Sequence, residues 1–335
     1  MSKKVIQLLL CTLLVASTVC FAQDTSSAFQ LVDQIVLSED VMVSSIRSLR
    51  ILPNGELLLV DALGSQLVVV NRDGSLVRNL DPADCHPGFE LRPIGVAVNA
   101  KYIFLTNSSP WGYVFNSDES CYSAVDVSFR PSFAFTFVSD SLLAGIYHVR
   151  GERPHIQWFD QKGAMLEKLD FPETDFPNAD HRMEAGGILS VGDDIWWAPP
   201  ISHHLFRIRD GKIQDFDPTI FYDFGQPSED IPEVLNPSLF KKVGQIFKEA
   251  SRNEGVFLLP DGKLLLQYHN PGDGTIRVIA DPDNLKNFRI EQSDFTFLEI
   301  HGDFAYRVVT PVLNDDGSDT NYVIDVYRYV GYPSE

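Results

Sequence analysis

Five arginines stand at matching points of a phrase that this sequence repeats. They are Arg47, Arg92, Arg130, Arg182 and Arg252, set in Arg47-Ser48-Leu49, Arg92-Pro93-Ile94, Arg130-Pro131-Ser132, Arg182-Met183-Glu184 and Arg252-Asn253-Glu254. A sixth copy carries Ser293-Asp294 at that point. A guanidinium is a planar fork of N–H donors that matches carboxylate or phosphate. Several such forks converging on one place would bind an anionic ligand. The same arginines could instead tie their own junctions by bonding carbonyls, or an acid such as Glu184 or Glu254. From each arginine to the next turn the chain runs 8 to 12 residues, so their registers differ.

A second group adds hydrogen-bonding and stacking surface. Trp197, His148 and His269 are the chief candidates, accompanied by Asp61, Asn107, Trp111, Arg150, His155, His203, His204 and Asn270. Aromatic rings beside Asn, His and Arg suit a sugar or an organic acid. Eight histidines without a fixed spacing do not make a zinc motif. The run Asn314-Asp315-Asp316-Gly317-Ser318-Asp319 has the composition of a calcium loop but lacks the alternating ligands and closing Glu of an EF-hand. No Gly-x-Ser-x-Gly elbow, Gly-rich phosphate loop or His-Glu-x-x-His occurs. Ordinary hydrolases and nucleotide enzymes are therefore disfavoured.

Charge narrows the partners further. Across 335 residues, 46 acids face 27 Lys and Arg, a net charge of −19. A nucleic-acid binder needs the opposite surplus. A hydrophobic content of 44 %, with 11 % aromatic residues, is ample for a large core.

The elements that position these residues come from an internal repeat. In Leu49–Val77 an apolar run, the turn Pro53-Asn54-Gly55, Leu57–Asp61, Leu67–Val70, the turn Arg72-Asp73-Gly74 and a last short run make four strands. Asn-Gly and Asp-Gly are strong hairpin signals. The phrase returns with turn markers at Lys101, Ser141, Asp194, Gly262 and Asp303, every 40 to 68 residues. Six four-stranded copies predict an all-β, six-bladed β-propeller. Residues Phe29–Leu37 precede the first copy and are expected to pair as the outer strand of the last blade. The longest interval holds an insert over 217–251, between blades 4 and 5. Its Asn236-Pro237 start and the spacing of Leu239, Phe240, Val243, Ile246, Phe247 and Ala250 predict a helix. Such a helix would lie on its own blade, cap the channel, or meet a protein partner.

Ahead of the repeats, Lys3 and Lys4 precede an apolar run from Val5 to Phe21 that ends at Ala22-Gln23. This pattern predicts a signal peptide over 1–22, cut after Ala22, and a secreted or periplasmic propeller over 23–335. A membrane anchor is opposed by Gln7, Thr12, Ser17 and Thr18 within the run. A lipoprotein acylated at Cys20 is opposed by Val19, where Gly, Ala or Ser is usual. No later stretch is long and apolar enough to span a membrane. Cys85 and Cys121 remain after processing, either as a disulfide, adding about 4 kcal/mol on the chain-entropy model, or as two separate buried thiols.

Leu52-Pro53-Asn54-Gly55-Glu56-Leu57-Leu58-Leu59-Val60-Asp61 and Val68–Gly74 resemble the repeat of NHL-type six-bladed propellers, and within them of secreted bacterial propeller proteins. Pro87-Gly88-Phe89-Glu90 before Pro93-Ile94-Gly95-Val96 is similar to their Gly-Pro-Gly-Glu phrase in degraded form. The resemblance spans residues 28–331 and implies fold rather than activity. It points to a binding module for a small anionic molecule or carbohydrate at the channel mouth, or to a protein partner on that face. Glu254-Gly255 also looks like the Glu-Gly that opens a blade in gluconolactonase-type lactonases. That likeness implies a divalent metal such as calcium held by Glu254, with Asp61 and Asn107 as further ligands by position alone, and hydrolysis in the channel.

Overall fold

A computed structural model describes residues 27–81, 91–107, 111–117, 120–126, 134–147, 153–182, 186–227, 229–231, 240–311 and 321–332. The strand β1 (Phe29–Val36) precedes the first copy of the repeat. That copy forms β2 (Ile46–Ile51), β3 (Leu57–Asp61), β4 (Gln66–Val70) and β5 (Leu76–Leu80). The second forms β6 (Pro93–Val98), β7 (Tyr102–Asn107), β8 (Trp111–Asn116) and β9 (Cys121–Asp126). The third forms β10 (Phe135–Phe137), β11 (Leu142–Tyr147), β12 (His155–Asp160) and β13 (Met165–Asp170). The fourth forms β14 (Gly187–Val191), β15 (Asp194–Ala198), β16 (Leu205–Arg209) and β17 (Lys212–Phe216). The fifth forms β18 (Arg252–Leu258), β19 (Leu264–Asn270), β20 (Gly274–Asp281) and β21 (Asn284–Ser293). The last comprises β22 (Glu299–His301), β23 (Phe304–Val309) and β24 (Val323–Tyr329).

Each of the first five copies is a four-stranded antiparallel sheet in chain order, and the sixth sheet is completed by β1 against β24. Phe29 lies opposite Tyr329 and Val36 opposite Val323. The first strands of successive sheets touch in order, and the strand of the last meets that of the first. The molecule is a six-bladed β-propeller around a central channel. Strands within a sheet are joined by tight turns in which glycine takes the left-handed backbone, as at Gly55 (φ +88°) and Gly74 (φ +85°). Gly74 has a second reason to lack a side chain, since a Cβ there would stand 1.9 Å from the Val36 carbonyl oxygen.

The core is distributed over the six seams between blades. In β3, Leu57 and Leu59 face the seam with blade 6, while Leu58 and Val60 face the seam with blade 2. In β15, Ile195 and Trp197 pack towards blade 3 and Trp196 towards blade 5. Because both faces of every blade are covered, the inner strands read as unbroken apolar runs instead of alternating ones. The insert adds a 3-10 turn at Pro218–Ile220 and a helix. A short helix α1 (Pro177–Arg182), which the repeat did not predict, precedes blade 4, and the insert helix is α2 (Phe240–Glu249). Val243, Ile246 and Ala250 of α2 and its end pack with Ile201, Ile231 and Phe176 in a seventh, smaller cluster beside blade 4. No helix among the described residues is long and apolar enough to cross a membrane.

Candidate functional site in the central channel

The first strands of blades 1, 2 and 5 share a defect in their ladders. Ile46 pairs with Asp61 and Ser48 with Val60, so Arg47 is left out of register. In the same way Ile94 is skipped between Pro93 and Gly95, and Glu254 between Asn253 and Gly255. A β-bulge turns the extra residue away from the regular pleat and re-aims its side chain. Here all three bulged residues line one cavity of about 450 Å³ along the channel. Phe135 of blade 3, Gly187 of blade 4 and Leu298 at blade 6 complete its wall, so every blade contributes. The close approach of blades 4 and 5 depends on Gly187, where a Cβ would lie 2.4 Å from the Val256 amide nitrogen.

Among the described residues, the charged side chains of the wall are Arg47, Arg50 and Glu254, and the last two each have an ion-pair partner beside the cavity. Arg50, also on the wall, donates from Nη1 to Glu299 Oε2 at 2.9 Å across the seam between blades 1 and 6. Arg252 Nη2 lies 3.5 Å from Glu254 Oε1 on the same strand. Burial pushes the Glu254 carboxyl above the usual carboxylate range, and Arg252 only partly offsets it. Burial likewise raises Glu299 against the opposing effect of Arg50. Arg47 is lowered by burial from the ordinary arginine value.

The arginines singled out by sequence occupy different registers. Aligned on the bulges, Arg47 matches Glu254, while Arg92 and Arg252 match one another, each one residue before the last regular pair. The Arg92 backbone N–H donates to Asn107 Oδ1. Arg182 ends α1 and its side chain is not described, and Arg130 lies outside the described residues. His148, Arg150, Cys85, the 314–319 run and Asn236-Pro237 also lie outside them, while Cys121 and Trp111 are placed by backbone alone.

His269 stands opposite Arg252 in the ladder, half-buried, and its pKa is lowered by burial first and by Arg252 second. Trp197 is 3 % exposed, packed 4.4 Å from Phe171 and 5.2 Å from Phe206 between blades 3 and 4. His155 is buried too, stacked on Tyr147 and accepting from the Gln157 amide at 2.9 Å.

Two of the residues suggested as metal ligands bond to the chain around them, while Glu254 lines the cavity. Asp61 accepts from the amides of Ser44 at 2.7 Å, Ser45 at 3.0 Å and Gly64 at 2.9 Å, and from Gln66 Nε2 at 3.1 Å. Asn107 binds the entry to β6, and Asn270, at the same end of β19, accepts from Ser251 Oγ. These three side chains pin the entry of a blade. Among the described residues, no group of three His, Cys, Asp or Glu is placed to hold a metal ion. Sequence reasoning missed Arg50, Glu299 and the bulges. A small residue follows each bulged one, Ser48, Gly95 and Gly255, but the pairing that makes the bulge is set by the partner strand.

No protein-family model matches the sequence, and no curated protein matches it. Solved structures do. A Bacteroides fragilis protein described as exported aligns over 90 % of this chain and 95 % of its own, at 14 % identity and a TM-score of 0.60. A member of the DUF4221 family from Bacteroides vulgatus covers 90 % and 98 %, at 10 % identity and 0.58. Virginiamycin B lyase from Staphylococcus aureus covers 88 % of each chain, at 10 % identity and 0.51. At these identities the likeness is one of fold.

Proposed function

We propose that this chain is an exported propeller that binds a small anionic molecule, such as an organic acid or an acidic sugar, in its central channel without catalysis. The observation that carries the reading is a local reversal of charge. The protein has a net charge of −19, yet among the described residues the charged side chains on the cavity wall are two arginines, Arg47 and Arg50, and one acid, Glu254, with Glu299 beside Arg50 and Arg252 beside Glu254. Both carboxyls are pushed towards their neutral form by burial, which tips the balance further. A cavity of about 450 Å³ falls at the small end of ligand sites. Export is supported by the Lys3-Lys4 and Val5–Phe21 pattern and by the likeness to a protein described as exported.

The test is thermal unfolding of residues 23–335 with dicarboxylates, uronic acids, sugar phosphates, calcium, manganese and EDTA. An anion at 100 times its Kd adds about 2.7 kcal/mol, a shift of a few degrees. That shift should vanish in Arg47→Ala. A shift unchanged in both Arg47→Ala and Arg50→Ala, or a fall with EDTA and no response to any anion, would overturn the reading.

A further inference from the structure

We propose that the channel's ligand is an acid with an apolar body, an aryl or alkyl carboxylate whose head lies on Arg47 and Arg50 of blade 1 and whose body lies against the other blades. The proposal rests on the anion reading of the channel and names the ligand class. Its basis is how charge and apolar surface divide the wall. Arg47 and Arg50 stand on one strand, where an even pleat would send them to opposite faces. The bulge at Arg47 brings both to one cavity. Among the described residues, blades 2, 3, 4 and 6 give that wall no charged side chain. Their large side chains there include Ile94, Phe135, Ile188 and Leu298. Glu254 of blade 5 is the one acid among the described wall residues, and Arg252, 3.5 Å away, balances its charge.

The decisive residue is Ile94. It is the bulged residue of blade 2, so its side chain is turned out of the regular pleat. It is half-buried and lines the cavity, yet it joins none of the seven apolar clusters formed by the described residues. Its apolar surface serves no seam between blades, and an apolar group entering the channel would cover it. Blade 4 stands across the ring from the arginines and meets that group with Ile188. An apolar cavity of about 150 Å³ holds a benzene ring, so about 450 Å³ has room for such a ring together with its carboxylate. Arg50 uses Nη1 on the Leu49 carbonyl and on Glu299 Oε2, each at 2.9 Å, which leaves Nε and Nη2 for the acid. A uronic acid fits this wall less well. Its hydroxyls would face Ile94, Ile188 and Leu298 and lose their hydrogen bonds to water without replacement.

Titration calorimetry of residues 23–335 at one neutral pH tests this with phenylacetate, acetate, phenylacetamide and glucuronate. Phenylacetate should bind about tenfold more tightly than acetate or glucuronate, through the area that its ring buries. Phenylacetamide keeps the ring without the charge and should bind about tenfold more weakly than phenylacetate. Ile94→Ser should weaken phenylacetate about fivefold and leave glucuronate unchanged, while Ile94→Leu keeps the unaltered affinity. Glucuronate or acetate binding as tightly as phenylacetate would overturn the apolar body and leave the anion reading standing. So would an Ile94→Ser variant that binds phenylacetate unchanged or loses glucuronate to the same degree. Phenylacetamide binding as tightly as phenylacetate, or no binding of any of the acids, would overturn the anion reading and this proposal with it. If Ile94→Ser does not fold, the ranking of the compounds by the unaltered protein decides.

Discussion

Both carboxylate oxygens of Asp61 are taken up by the chain around it. Three backbone amides and one side-chain amide converge on a residue with no exposed surface. Burial alone would raise its pKa, but the four donors together hold it below the ordinary value of 3.8. A carboxyl lowered in the folded state stabilises the fold above its unfolded pKa, and that contribution is lost as pH falls through the folded one. Asp61→Asn turns an NH2 group towards donors and should cost about 2 kcal/mol at neutral pH. In denaturant titrations the difference from the unaltered protein should shrink below the ordinary aspartate pKa. A difference constant with pH would show that the charge does not hold these amides. In the sequence, Asp61 reads as a ligand-facing group by position alone, and its role as an anchor for backbone amides is not visible. An acid at the end of a strand looks the same in either role until the amides of residues 44, 45 and 64 are placed around it.

At the level of elements, strands and turns were legible because each is local. Asn54-Gly55 and Asp73-Gly74 specify their hairpins within a few residues. The bulges were not, since a skipped residue is defined by the partner strand rather than by its own neighbours. That is why the unequal distances of Arg47, Arg92 and Arg252 from their turns did not tell which of them takes the bulged position, which is Arg47. The α2 helix was visible in the spacing of its apolar residues, and its place beside blade 4 came from packing with Ile201 and Ile231. Ile246 is 4 % exposed in that cluster. Ile246→Asp should cost about 3 kcal/mol through an unpaired buried charge. Limited proteolysis should then cut within 217–251 while the sheet signal in circular dichroism persists. Loss of the whole sheet signal would mean that the insert is integral to the ring.

On the scale of the molecule, six seams of similar make carry the core, and every blade leans on two others. The repeat made this architecture readable, since each phrase has both faces apolar and no blade can bury them alone. What the repeat could not convey was where a charge points relative to the axis, because the ring is closed by contacts hundreds of residues apart. Glu291 Oε1, for example, accepts the Ala28 amide at 2.6 Å. Deleting residues 23–36 removes β1 from the sixth sheet and leaves Ile324 and Val326 without Ile35. The expected outcome is a chain that is aggregated or non-cooperative on heating, and that recovers a single transition when a peptide of residues 27–38 is supplied. A cooperative transition without the peptide would show that the other three strands of that sheet suffice. The pairing of β1 with β24 also sets a schedule. β1 leaves the ribosome long before β24 and must wait for it, so the closed ring, and any ligand held at its centre, belong only to a chain already synthesised through residue 329.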